Sequence, residues 1–185
     1  ADWPFLFVQL AAYGARAGDW PGLRAAQAFT RDTVPHTGMA VAIDCGEKDQ
    51  IHPAAKHPVG ERLARLALAQ VYGRSIESRG PLAVRAEAEG GRVGVHFIHI
   101  AAGLRADGGL PGFELAGSDG RFHRAQARLL PPDRVAVEAA EVPAPAAVRY
   151  AWADWIEPAV TLRNAAGLPA EPFALPVRAG KAGSP

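Results

Sequence analysis

Pro4-Phe5-Leu6-Phe7-Val8-Gln9-Leu10 and Met39-Ala40-Val41-Ala42-Ile43 are two nearly continuous apolar runs of strand length. Runs of this kind are expected of parallel strands covered on both faces. A helix is expected between them, from Asp19-Trp20-Pro21 to about Arg31. Asp19 suits the N-cap and Pro21 the first turn, while Leu23, Ala26 and Phe29 fall on one apolar face. Strand, helix, strand makes a βαβ unit. After a polar loop from Asp44 to His57, a second helix is expected over Pro58–Tyr72, with Val59, Leu63, Leu66, Ala67 and Val71 as its stripe and Gly73 as its stop.

The texture changes at Ser75–Pro81. Leu82–Glu89 alternates Val84, Ala86 and Ala88 against charged residues. Gly90-Gly91 is a hairpin turn, and Arg92–Ile100 returns with Val93, Val95 and Phe97 on one face. Further short strands are expected at Phe113–Ala116, at Phe122–Leu129, around Val135 and Val137, and through Val148, Tyr150 and Trp152. This spacing predicts an antiparallel β-sandwich. The reading is α/β plus β: residues 1–76 form the C-terminal portion of a parallel α/β domain, 77–178 the sandwich and 179–185 a disordered tail. Two parallel strands cannot cover themselves, so either further strands lie upstream or the β module shields these two. The chain opens on Ala rather than Met, almost directly at a strand, as a processed or truncated chain would.

Composition excludes several classes of function. The formal net charge is +1 in 185 residues. Residues 1–76 carry 8 Lys or Arg and 7 Asp or Glu, and the remainder 12 of each, so neither half is a basic nucleic-acid module. No apolar run approaches the roughly 20 residues that span a bilayer. The single cysteine, Cys45, rules out an internal disulfide framework.

Chemistry concentrates in the loop Asp44-Cys45-Gly46-Glu47-Lys48-Asp49-Gln50-Ile51-His52-Pro53. It follows the carboxyl end of a parallel strand, where functional groups collect in open α/β sheets. Asp49 and His52 are spaced so that the carboxylate can accept the Nδ1 proton and leave Nε2 facing a cleft. The same spacing also suits a surface turn or a helix-start cap. Cys45 directly precedes a glycine and reads as a core thiol rather than a nucleophile. The acids Asp44, Glu47 and Asp49 lack a calcium-loop spacing, and His96 and His99 face opposite sides of a strand, so no metal or cofactor is expected. Gln9, at the end of the first strand, and Gln27, on the first helix, are candidate substrate contacts with structural amides as the alternative. Trp152 and Trp155 are read as core residues or sugar-stacking platforms.

These blocks resemble one family in order along the chain. Asp49-Gln50-Ile51-His52-Pro53, Lys56 and Val59-Gly60-Glu61-Arg62-Leu63-Ala64 are similar to the D-I-H-P-x-x-K-x-x-V-G-x-R-L-A segment of sialate O-acetylesterases, hydrolases of the SGNH type. Pro4–Leu10, Leu23-Arg24-Ala25-Ala26-Gln27 and Thr37–Asp44 resemble further blocks, with Ala25 in place of a glutamate. Arg149-Tyr150-Ala151-Trp152 and Asn164–Phe173 resemble the closing ones. The resemblance implies His52 as general base, Asp49 as its orienting carboxylate and an O-acetylated sugar as substrate. A secreted, periplasmic or lysosomal setting is implied too.

The chain departs from that pattern in its serines. Ser75, Ser78, Ser118 and Ser184 lie in neither a G-D-S nor a G-x-S-x-G context. The nucleophile is therefore expected from the N-terminal part of the same protein, with this chain alone inactive and with neither nucleic acid nor membrane as partner. A non-catalytic carbohydrate-binding or interaction module is the rival from another class.

Overall fold

A computed structural model describes residues 3–180. The parallel part is small: β1 (Phe5–Val8) pairs with β2 (Thr37–Ala40) and with no further strand among the described residues. Between them runs α1 (Trp20–Thr33), whose N-cap Asp19 accepts from the Gly22 amide at 3.0 Å. After β2 the chain stays buried through Ile43, then forms the polar loop. Next comes α2 (His57–Leu66), extended by a π-helical turn at Ala67–Val71 and stopped by Gly73 at φ +64°.

The expected apolar face of α1 points the other way. Leu23 and Phe29 are 52% and 69% exposed, while Pro21, Arg24 and Arg31 are its buried residues. Arg24 is almost fully buried and its guanidinium donates to the carbonyls of Leu10, Ala11, Ala153 and Asp154. Burial pulls its pKa down to about 10, against the opposing pull of Asp154. Arg31 reaches Glu171 at 2.5 Å and grips Asp32 with two nitrogens. Asp154 in turn accepts from the amides of Gly18 and Trp20 at the start of α1. The helix is thus docked by arginine–carbonyl contacts instead of an apolar stripe.

The rest of the chain forms β3 (Leu82–Glu89), β4 (Arg92–Ile98), β5 (Leu104–Arg105), β6 (Phe113–Ala116), β7 (Phe122–Arg124) and β8 (Gln126–Leu130). It continues through β9 (Arg134–Glu138), β10 (Ala147–Tyr150), β11 (Arg163–Asn164) and β12 (Phe173–Arg178). Eight of these make one sheet in the order β7-β6-β10-β12-β3-β4-β9-β8, with β12 and β3 parallel and the other pairs antiparallel. The outermost strands, β7 and β8, are separated in sequence by Ala125 alone. One residue spans only ~3.5 Å, so the two ends of the sheet must meet and the sheet curls toward a barrel. The chain is mostly β, with a large mixed near-barrel sheet in place of two facing layers, few helices, and a parallel part confined to β1 and β2 among the described residues.

The core fills this curl. Val93, Val95, Val135, Val137 and Val148 are fully buried, with Phe113, Tyr150 and Phe173 packed among them. It is continuous with Ala12, Met39, Val41 and Ile43 of the parallel part. The alternation expected in β3 fails at one place. A register shift between Ala83 and Arg85 buries Ala83 and Ala86 and leaves Val84 47% exposed, because one extra residue reverses the facing of the strand. The Gly90-Gly91 turn holds, both residues having positive φ. From residue 181 the expected tail lies outside the described residues.

Candidate active site

The loop that leaves β2 is anchored at its root. Arg62 of α2 binds Asp44 through two 2.7 Å hydrogen bonds and also donates to the Val41 carbonyl at 2.8 Å. Burial opposes the Arg62 charge, but the Asp44 carboxylate outweighs it and raises the guanidinium pKa. Cys45 is buried, and burial followed by the Asp44 charge pushes its thiol pKa up. At neutral pH it stays protonated, a poor nucleophile.

Gly46 lies against the segment leaving β1: a Cβ there would sit 2.1 Å from the Ala12 carbonyl oxygen. Gly14 donates to the Lys48 carbonyl at 2.8 Å. Glu47 accepts from the Ala54 amide at 2.5 Å, and the Gln50 side chain accepts from the His52 amide at 3.1 Å. The backbone around His52 is thereby pinned from both sides of the turn.

Asp49 and His52 both sit at the exposed crest of this loop. Among the described residues no hydrogen bond or ion pair joins them, so the expected carboxylate–imidazole contact is not formed in this structure. The loop presents an exposed imidazole beyond the carboxyl end of a parallel strand, on a fixed base. That imidazole can take or give a proton to a group brought to it from outside.

The two glutamines differ. Gln27 is half-buried and uses both polar atoms on the backbone at and just past the end of β1, accepting from the Leu10 amide at 2.9 Å and donating to the Val8 carbonyl at 3.2 Å. It extends the strand's pairing by one side chain. Gln9 is almost fully buried; its Nε2 donates to the Arg24 carbonyl at 3.3 Å and its Oε1 has no partner. Neither glutamine is in hydrogen-bond contact with Asp49 or His52.

Trp152 lies beyond the end of β10, which stops at Tyr150, so it does not continue the expected alternation. With Trp155 it lines a groove of about 210 Å³ together with Glu114, Arg124 and Glu157. Residues 155–157 abut the histidine loop: Lys48 Nζ is 3.8 Å from Glu157 Oε2, and Trp155 packs against Gly14. The sequence placed Arg24 and Arg62 inside family-like blocks but carried no sign that they, with Asp154, clamp the loop and helix. A helix arginine ordinarily reads as a solvated side chain.

No family model matches the chain, and no curated protein matches it. Among solved structures, a carbohydrate acetylesterase from Xanthomonas citri is 39% identical, with a TM-score of 0.85. The match covers 92% of this chain and 40% of that one, so the chain spans about two fifths of the enzyme's length. In sequence and in fold alike, the chain is related to a carbohydrate esterase.

Proposed function

We propose that the chain is the histidine-bearing part of a carbohydrate acetylesterase of the sialate O-acetylesterase kind. It acts on O-acetyl esters of sialic acids or related sugars. His52 is the general base, Asp49 its orienting carboxylate, and the serine comes from a segment outside these 185 residues. The observation that carries this reading is the 39% identity to a carbohydrate acetylesterase over 92% of the chain. The anchored D-x-x-H loop beyond β2 supports it.

In this mechanism His52 Nε2 takes the serine proton as Oγ adds to the acetyl carbonyl. The tetrahedral intermediate collapses as His52 returns that proton to the departing sugar oxygen. Water, deprotonated by the same nitrogen, then cleaves the acetyl-enzyme to acetate and free serine. Asp49 has to turn toward Nδ1 to hold the ring in the right tautomer. The exposure of both side chains leaves room for that movement when another segment covers the loop.

Exposed apolar surface supports such a segment. Phe5, Leu23 and Phe29 are exposed on the β1–α1 flank, and among the described residues no third strand pairs with β1 or β2. A neighbouring strand would bury that surface.

The test is reconstitution with the part of the Xanthomonas citri enzyme that lies outside the match. Hydrolysis of p-nitrophenyl acetate is expected only with both parts present, and His52→Ala should lower kcat by at least ~10³-fold. Turnover by the chain alone, abolished by His52→Ala, would overturn the division of labour. Full activity of the reconstituted His52→Ala protein would overturn the role of the histidine.

A further inference from the structure

We infer that the groove between Trp152, Trp155, Glu114 and Arg124 is a sugar-binding subsite beside the histidine loop, holding a pyranose ring of the glycan that carries the ester. Both indoles are half-buried and line the same concavity. An indole face covers the C–H face of a pyranose, while ring hydroxyls need fixed acceptors and donors at its edge. The groove supplies both. Glu114 is held in place by Arg149 at 2.7 Å, and Arg149 itself lies 3.9 Å over the Phe122 ring, so the carboxylate is pre-set as an acceptor. Glu157, exposed at the rim, accepts from the Trp155 indole N–H at 3.4 Å and lies 3.8 Å from Lys48 Nζ. Arg124 is exposed and offers donors from the opposite strand.

The chain adopts a costly conformation to build this wall. Ala151 is 1% exposed at φ +54°, a region that non-glycine residues seldom adopt. Its amide is held by the Gly112 carbonyl at 2.9 Å. That turn takes the chain out of β10 and delivers Trp152 to the groove instead of to the next core position. Strain of this sort persists where the surroundings enforce it, and often at ligand sites. The contact between Lys48 and Glu157 puts one end of the groove next to the residue preceding Asp49. A glycan seated on the two indoles would therefore run toward His52.

The subsite's place beside a scissile ester rests on the esterase reading, but ring binding itself requires no turnover. The test is an NMR titration of the 185-residue chain with neutral trisaccharides of glucose, galactose and mannose, following the indole N–H signals. The chain has four tryptophans, and Trp3 and Trp20 lie outside the groove as internal controls. At least one sugar is expected to shift the Trp152 and Trp155 signals saturably and to leave the 82%-exposed Trp3 unmoved. Trp152→Ala should weaken binding at least tenfold. Arg124→Ala, at an exposed position, should weaken it severalfold. Absence of shifts at Trp152 and Trp155 with all three sugars, or shifts confined to Trp3 and Trp20, would overturn the inference. So would undiminished binding by both variants. Sugar binding with no esterase activity on reconstitution would sink only the catalytic reading, and the reverse result only the subsite.

Discussion

Arg62 meets Asp44 through two parallel hydrogen bonds of 2.7 Å, joining α2 to the point where the chain leaves β2. The Arg62 side chain is 10% exposed and that of Asp44 33%, so the pair is half sheltered. Removing the acid strands a guanidinium whose remaining contacts are the Val41 carbonyl and the Cys45 sulfur. Asp44→Ala is expected to cost about 2–3 kcal/mol, below the usual figure for a fully buried pair because water reaches one partner. A urea-unfolding midpoint read by circular dichroism checks this, and a loss under ~0.5 kcal/mol would show that the clamp is ornamental.

Gly46 is required by space rather than by backbone angle. Its missing Cβ would lie 2.1 Å from the Ala12 oxygen and 2.8 Å from the Ala12 nitrogen, atoms that cannot rotate away. Gly46→Ala should push the histidine loop off the β1 segment at a cost of about 1–3 kcal/mol. In the reconstituted enzyme, activity should fall by more than the loss of folded protein accounts for. Wild-type stability and activity in this variant would show that the loop is not seated as described.

Much of the local structure was legible in the sequence, and the global closure was not. The Asp19 cap, the Gly73 stop, the Gly90-Gly91 turn and the Val93-Val95-Phe97 face depend on residues near one another in the chain, and each is where its chemistry placed it. The single curled sheet depends on Ala125 joining its two ends and on β12 running parallel to β3. Neither leaves a mark in short-range periodicity. Hydrophobic patterning misled at α1, where buried Arg24 and Arg31 find carbonyl and carboxylate partners more than a hundred residues away. The polar loop after β2 was legible in the sequence but the arrangement of Asp49 and His52 on it was not, and the Trp152 groove depends on the unusual backbone of Ala151.

Asn164 knots the end of the chain to its middle. Its side-chain nitrogen donates to the carbonyls of Arg79 and His99 at 3.0 and 2.8 Å, and its oxygen accepts from the amides of Ala166 and Leu168 at 3.1 and 3.0 Å. The residue is 1% exposed, so water cannot replace these contacts. Asn164→Leu leaves four backbone groups unpaired, and a loss of about 3–4 kcal/mol is expected from the cost of unmade buried hydrogen bonds. Asn164→Asp keeps the two acceptor contacts but sets its second oxygen against the Arg79 and His99 carbonyls in a buried place, so it should lose no less than Asn164→Leu. A loss below ~1 kcal/mol for either variant, measured by chemical denaturation, would argue against this account.

His99 gives the fold a pH dependence of known sign. Burial first, then the charge of Arg79, holds its imidazole pKa below the usual 6.5, with Arg31 adding to the effect and Glu77 opposing it. On acidification the unfolded chain takes up this proton near pH 6.5, while the folded chain resists until lower pH. The unfolded state therefore binds more protons in that window. The stability contribution is present above about pH 6.5 and is lost as pH falls through the folded value. His99→Asn, which suits the φ of +57° there, should flatten the decline between pH 7 and 5. Parallel pH profiles for the variant and the wild type would assign the slope to other groups.

Gln27 separates a structural from a binding role with one pair of measurements. Its amide takes the place of a missing strand partner for Val8 and Leu10. Gln27→Leu fills a similar volume but strands the part-buried Leu10 N–H, while the exposed Val8 C=O turns to water, and about 1–2 kcal/mol should be lost. Amide exchange at Leu10 should accelerate by the equivalent ~5–30-fold. Gln27→Glu keeps the acceptor for Leu10 and should protect that amide while freeing the Val8 carbonyl. A structural strut leaves the KM of the reconstituted esterase unchanged in both variants. A rise in KM with unaltered stability would instead place Gln27 in contact with the substrate.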